Sequence, residues 1–366
     1  MMKTKKKIKR YWIFLIIWSV LLTVVLAVAL VRFYRFLGDY QTVFEETRPV
    51  LYQQNEVMTV FETGDAKQIL NLADPVELGP FESRENFVDF LNDYLSGKEI
   101  GFGTKEGEHI EERPVYVVTV DGMPFAKVRL RKGSETTAYG LPLWETDSVE
   151  LLLQTTKEYE LIAPSTVSVT VNGIAVTEAA LEESGIRGTA ENYTETYVQI
   201  PSYNRYSLGA FYGEPVVSGI NAAGEPVDIS YDEREHCYQA AFGGDADMQS
   251  MVEDYVLQMA EDYAMYISND AAYNALDKYF PQGSELLAGI KRNTREWFDA
   301  HQRPEIQNQK ITEFIVYSED AFSAQVYLEQ YMYVPYSQKT EVVVTDLHIY
   351  FVRIDGEWKV SGIAFE

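Results

Sequence analysis

Catalysis needs side chains that move protons, attack carbon or hold metal, and this 366-residue chain scatters the few it has. Its four histidines (His109, His236, His301 and His348) fall in no H-x-x-H or H-E-x-x-H spacing, so no helical imidazole pair is set to share a zinc ion. Cys237 is the single cysteine, which excludes a disulfide framework and a thiolate metal cluster. No lysine has a serine three residues before it, so the S-x-x-K nucleophile motif is absent, and Tyr336-Ser337-Gln338-Lys339-Thr340 reads as a turn between strands. Gly101-Phe102-Gly103 lacks the further glycine and the following helix of a phosphate-cradling loop. The expectation is no catalytic set, no metal and no cofactor.

One pattern does suit recognition. In residues 321–333, Phe322, Ala324, Val326 and Leu328 alternate onto one strand face; in 340–353, Val343, Leu347, Ile349 and Phe351 do the same. Both faces are bare of titratable groups and are expected to be packed core. The opposite face alternates Tyr327, Glu329, Tyr331 and Tyr333 with Asp346, His348 and Tyr350. Aromatic rings beside hydrogen-bond acceptors suit a sugar, a peptide or a protein surface. The same residues would equally line a seam against a neighbouring domain, because sheet faces are commonly covered. These seven residues form the candidate interaction face.

The elements that must carry this face lie in residues 245–366. A helix is expected over DMQSMVEDYVLQMAEDYAMYI, whose Met248, Met251, Tyr255, Met259, Tyr263 and Tyr266 (or Ile267) share one side and read as core. AAYNALDKYF and ELLAGIKRNTREWFDAH read as two more helices punctuated by Pro281 and Pro304, followed by four strands. Residues 157–236 differ in texture, with short apolar runs, an Asn172-Gly173 hairpin signal and many glycines and prolines, which predict a small β-sandwich. LEESGIRGTAENYT within it reads as a loop or a single helical turn. In residues 39–153, Pro49 breaks a helical pattern that resumes near Val50, Asp65 and Ser83 stand as caps of two helices, and three long strands follow, the first two joined at Asp121-Gly122.

Everything hangs from Trp12–Val31, an uncharged run of twenty residues that as a helix reaches about 30 Å, the thickness of a bilayer core. We expect a transmembrane helix over 12–36 that contacts the lipid bilayer, with residues 1–11 as a cytoplasmic basic tail. Six lysines and arginines precede the run and only Arg32 and Arg35 follow closely, which places the bulk of the chain outside the cell membrane. Ala27-Val28-Ala29 has signal-peptidase spacing, but the apolar run is longer than a cleavable signal uses, so a retained anchor is expected. The overall charge is −25, yet residues 1–36 hold eight of the 31 bases and none of the 56 acids. The remainder therefore carries 23 bases against 56 acids, a net of −33, and no nucleic-acid partner is expected. An exported domain of this size without disulfides fits a bacterial envelope, Gram-positive by its single short anchor.

Helices followed by a meander of long strands occur twice, and VVTVDGMPFAKVRL (117–130) parallels YFVRIDGEWKVSGI (350–363) through a strand, Asp-Gly and a Lys-Val return. On those residues, and on IYFVRIDGEWKV (349–360) above all, 245–366 resembles the NTF2-like superfamily, with a fainter second copy in 39–153. The resemblance implies an α+β fold: a single N-terminal transmembrane helix and two NTF2-like cone domains flanking a small β-sandwich-like domain. The whole order is similar to the extracytoplasmic regions of TcaA-type proteins of Gram-positive bacteria. The chain has no Cys-x-x-Cys, so that likeness does not extend to their cytoplasmic zinc ribbon. Some NTF2-like members are enzymes, which need a carboxylate or imidazole desolvated inside the cone. The bare apolar faces point instead to a non-catalytic binding or scaffolding protein whose partner is an envelope protein or a cell-wall component. The alternative is an enzyme or small-molecule sensor using a cone pocket.

Overall fold

The computed structural model describes residues 3–105, 107–293 and 300–365. It is a mixed helix-and-sheet protein with one long apolar N-terminal helix. The chain divides into two compact units, residues 1–77 with 84–154, and 78–83 with 155–366.

In the first unit, α1 (Lys3–Glu46) runs unbroken through the apolar stretch, none of whose spanning window is buried. It stops three residues before Pro49, and α2 (Pro49–Tyr52) restarts with that proline in its first turn, where the missing N–H costs nothing. A π-helical turn, Gln53–Val57, joins α2 to α3 (Met58–Glu62). The Asp65 carboxylate caps α4 (Ala66–Leu72) by accepting from Lys67 N at 2.9 Å. The stripe on α5 (Arg84–Leu95) buries Phe87, Val88, Leu91 and Leu95. Four antiparallel strands follow in spatial order: β1 (Ile100–Thr104), β2 (Val115–Val120), β3 (Met123–Thr136) and β4 (Pro142–Leu151). The β2–β3 turn is at Asp121-Gly122, both left-handed with φ of 50° and 79°, which is why glycine follows aspartate there. Phe125 of β3 packs edge-on against Phe61 of α3 and stacks on Tyr94 of α5, joining helices to sheet.

The second unit opens with two sheets. β11 (Ile229–Asp232), β12 (Cys237–Ala240), β5 (Glu158–Pro164), β9 (Tyr203–Ala210) and β8 (Leu181–Ile186) form one; β10 (Val217–Ile220), β6 (Ser168–Val171) and β7 (Ile174–Ala175) form the other. Leu161, Leu208, Val171 and Val169 share one buried cluster drawn from both sheets. The predicted loop at Leu181 is in fact the edge strand β8, whose Leu181 and Glu183 sit opposite Tyr206 and Arg205. Backbone pairing there overrides a glycine-bearing sequence with no apolar alternation. A single helical turn, α6 (Glu191–Thr194), follows.

The rest of the unit is α7 (Ala246–Ile267), capped by Asp245, then α8 (Glu285–Asn293) and four long antiparallel strands: β13 (Glu305–Ser318), β14 (Ala321–Val334), β15 (Lys339–Ile354) and β16 (Glu357–Phe365). AAYNALDKYF is not a helix. It is a run of tight turns in which Ala275, Asp277 and Tyr279 each bond back three residues. That path buries Leu276, Tyr279 and Phe280 together, and tertiary packing overrides the helical propensity. Residues 294–299 of the next predicted helix lie outside the described residues. Met259, Tyr263 and Tyr266 of α7 are core as expected, but Met251 is 78% exposed.

Candidate functional site

The helix-covered face of the C-terminal sheet is packed. Phe322, Ala324, Val326 and Leu328 of β14, with Leu347, Ile349 and Phe351 of β15, are buried in one cluster with Val256, Met259 and Tyr263 of α7. Phe322 stacks on Phe351 at 4.7 Å and takes Trp358 edge-on at 4.8 Å. Val343 is only half-buried, being near the end of the sheet. Two polar residues that alternation did not flag share this face. Gln330 is fully buried and donates to Ala264 O at 3.3 Å, and Thr345 is buried opposite Leu328. Beyond the end of α7, the Asp270 carboxylate accepts from Ser268 Oγ at 2.7 Å and lies 2.9 Å from His301 Nε2. The carboxylate occupies the middle of this trio, whereas activation of a nucleophile needs the imidazole there.

The opposite face carries all seven candidate residues on one side, with Tyr327 opposite Asp346, Tyr331 opposite Val342 and Ser323 opposite Tyr350. Its two halves have different fates. Tyr350 is buried and stacks on Tyr193 of α6 with centroids 4.2 Å apart, in a cluster with Tyr317, Phe242 and Ala190. Burial pushes its phenol up to about 12. His348 stacks on Tyr350 at 4.8 Å and its Nε2 lies 2.9 Å from Ser323 Oγ, which also meets the Tyr317 hydroxyl at 2.9 Å. This half is a seam against the segment around α6.

The other half is open at its margin: Tyr327, Glu329 and Tyr331 are half-buried, and Tyr333 and Asp346 are exposed. Glu329 accepts from the Tyr327 hydroxyl at 2.6 Å, from Tyr331 at 2.8 Å and from Asn308 Nδ2 at 2.8 Å. Those three donors hold its carboxyl below the usual range, and the same bonds push both phenols up. Lys310 Nζ sits over the Tyr327 ring at 5.5 Å, and Gln325 donates to Asp346 at 3.1 Å. Tyr333 is exposed, and Val342 and Val344 beside it are 48% and 55% exposed. The two valines were missed although their even numbering sets them in phase with Asp346.

A second feature was not foreseen. A cleft of 1010 Å³ opens between the first turns of α7, the β13–β14 and β15–β16 turns and the loop Asn221–Ala223. Met248, Met251, Val252 and Trp358 give it an apolar wall, and Lys278, Arg353 and Lys359 bring charge. Each cation has a partner: Asp262 at 2.9 Å, Asp320 at 3.8 Å and Glu357 at 2.7 Å. Arg353 lies over the Trp358 ring at 4.8 Å, and the Tyr255 hydroxyl donates to Trp358 O at 2.6 Å. The elements that build it come from separate stretches of the chain, so no local motif marks it. Among the described residues no three His, Cys, Asp or Glu side chains group to hold a metal.

No protein-family model matches the sequence. No curated protein matches it either. A solved structure described as an NTF2-like protein involved in plasmid conjugation aligns over 84% of this chain and 89% of that one, at 9% identity and a TM-score of 0.23. A likeness that loose carries no argument about fold or function.

Proposed function

We propose that this chain is a single-pass, extracytoplasmic binding or scaffolding protein of the bacterial cell envelope that works without catalysis. The reading is supported by the unburied apolar helix with its basic N-terminal flank, which anchors the chain in the cell membrane with the N-terminus inside. On element order, helices followed by a four-stranded antiparallel meander in each unit, we read both parts as NTF2-like domains. The observation that carries the binding role is the open half of the β14–β15 face. There Tyr327 and Tyr331 are held in one geometry by Glu329, so a partner meets ordered aromatic rings at little entropic cost. The partner is an envelope protein or a cell-wall component. Crosslinking capture by the membrane-anchored protein tests this: Tyr331→Ala should lower the yield of captured envelope material, and an unchanged yield removes the face from the account.

The cleft supports a second reading, a small-molecule sensor, because its volume matches the upper range of ligand pockets and its wall is apolar with a charged rim. It lies beside the sheet's turns, at the margin of the packed helix-covered face, with which it shares Val252 and Trp358.

A further inference from the structure

β15 is longer than its outer neighbour. It pairs with β14 from Lys339 to Val352, but β16 reaches it only from Leu347 to Ile354. Among the described residues, the run Lys339–Asp346 (KTEVVVTD) therefore has a ladder partner on one side only. Every second residue of such a run turns its N–H and C=O to the open side, which is the template an added strand needs. The run is rich in β-branched residues, contains no proline, and presents Val342 and Val344 to solvent. Those two valines stand directly opposite Tyr331 and Glu329, so the open edge and the ordered tyrosine face form one continuous surface.

We infer that Lys339–Asp346 takes an extended, lysine- or arginine-bearing polypeptide segment of an envelope partner as a fifth strand. The inference rests on the binding reading above and names the partner's class. Strand addition supplies main-chain hydrogen bonds, and alternate side chains of the incoming segment lie beside Val342, Val344 and Asp346. Charge sets the sign of that segment. Asp346 shares the valines' face with Glu329 one strand further in, and Glu341 on the other face offsets Lys339 at the start of the run. Lys310 is engaged over the Tyr327 ring, and residues beyond the anchor carry a net of −33. A second copy of this chain would bring the same acids to the same edge along with another net of −33, so like charge opposes self-pairing.

Full-length protein in nanodiscs is mixed with a short peptide alternating valine and lysine, or with its valine–glutamate counterpart. Amide hydrogen exchange and labelled-peptide titration are then read together. The lysine peptide should slow exchange across 339–346 and bind about tenfold or more tighter than the glutamate peptide. Val344→Lys, a change at an exposed position, should weaken the lysine peptide by a similar factor. Equal binding of both peptides, binding without protection of 339–346, or protection that rises with protein concentration in the absence of peptide each overturns the inference. If the lysine peptide fails while Tyr331→Ala still abolishes envelope capture, strand addition falls and the binding face stands. If the peptide protects the edge while Tyr331→Ala leaves capture intact, the face falls and the edge stands.

Discussion

Glu329 and Tyr350 are set on the same sheet face, yet they do different work. Glu329 is a half-buried carboxylate whose three donors hold its pKa below the ordinary value of 4.5. A depressed carboxyl stabilises its surroundings above the unfolded pKa, and that contribution is lost as pH falls through the folded one. The ordered tyrosines should therefore persist from neutral pH into the acid range and loosen only below the ordinary glutamate midpoint. Carbon-detected NMR titration of the Glu329 carboxyl should give a midpoint under that of a model peptide, and one at or above it would remove the ordering argument. Tyr350 belongs to the buried half. Tyr350→Ala deletes a ring stacked on Tyr193 and should cost about 3–5 kcal/mol in denaturant unfolding, as core aromatic truncations do. A loss under about 1 kcal/mol would mean that the seam is not packed in solution.

Among the elements, β16 shows how tightly that seam is built. A Cβ placed on Gly362 would lie 2.5 Å from Cδ1 of Tyr193 and 2.7 Å from its Cβ. Gly362→Ala should thus push α6 off the sheet and destabilise by about 1–3 kcal/mol, with a disturbed Tyr193–Tyr350 stack visible in near-ultraviolet circular dichroism. A neutral substitution would contradict the packing. Period-two alternation made β14 and β15 legible, since Phe322 to Leu328 and Leu347 to Phe351 repeat without a break and the core follows from that repeat. Left-handed turns announced two hairpins through Asp121-Gly122 and Asn172-Gly173. The turns of 271–280 and the strand at Leu181 were not legible, because their conformations are imposed by Tyr279 and Phe280 reaching the core and by pairing with β9. The candidate face was legible as a face but not as two halves. Which half is covered depends on α6, more than a hundred residues away in sequence, and no local pattern encodes that distance. The cleft was invisible for the same reason.

At the scale of the whole molecule, a basic tail and apolar helix precede a chain with a net of −33. In cells stripped of their wall, added protease should degrade residues beyond 37 and spare the tail, and a protected C-terminal region would reverse the proposed orientation. Long-range attraction of a basic partner to so acidic a surface is screened by salt, so envelope capture should fall as ionic strength rises from low to physiological. The central claim, that the open half of the β14–β15 face is a binding surface, is tested most directly by one variant measured two ways. For Tyr331→Ala the account predicts a capture yield lowered by about tenfold, with an unfolding free energy lowered by no more than about 1.5 kcal/mol, the loss of one hydrogen bond to a half-buried carboxylate. Undiminished capture, or a stability loss of about 3–5 kcal/mol like that of a buried ring, would contradict it.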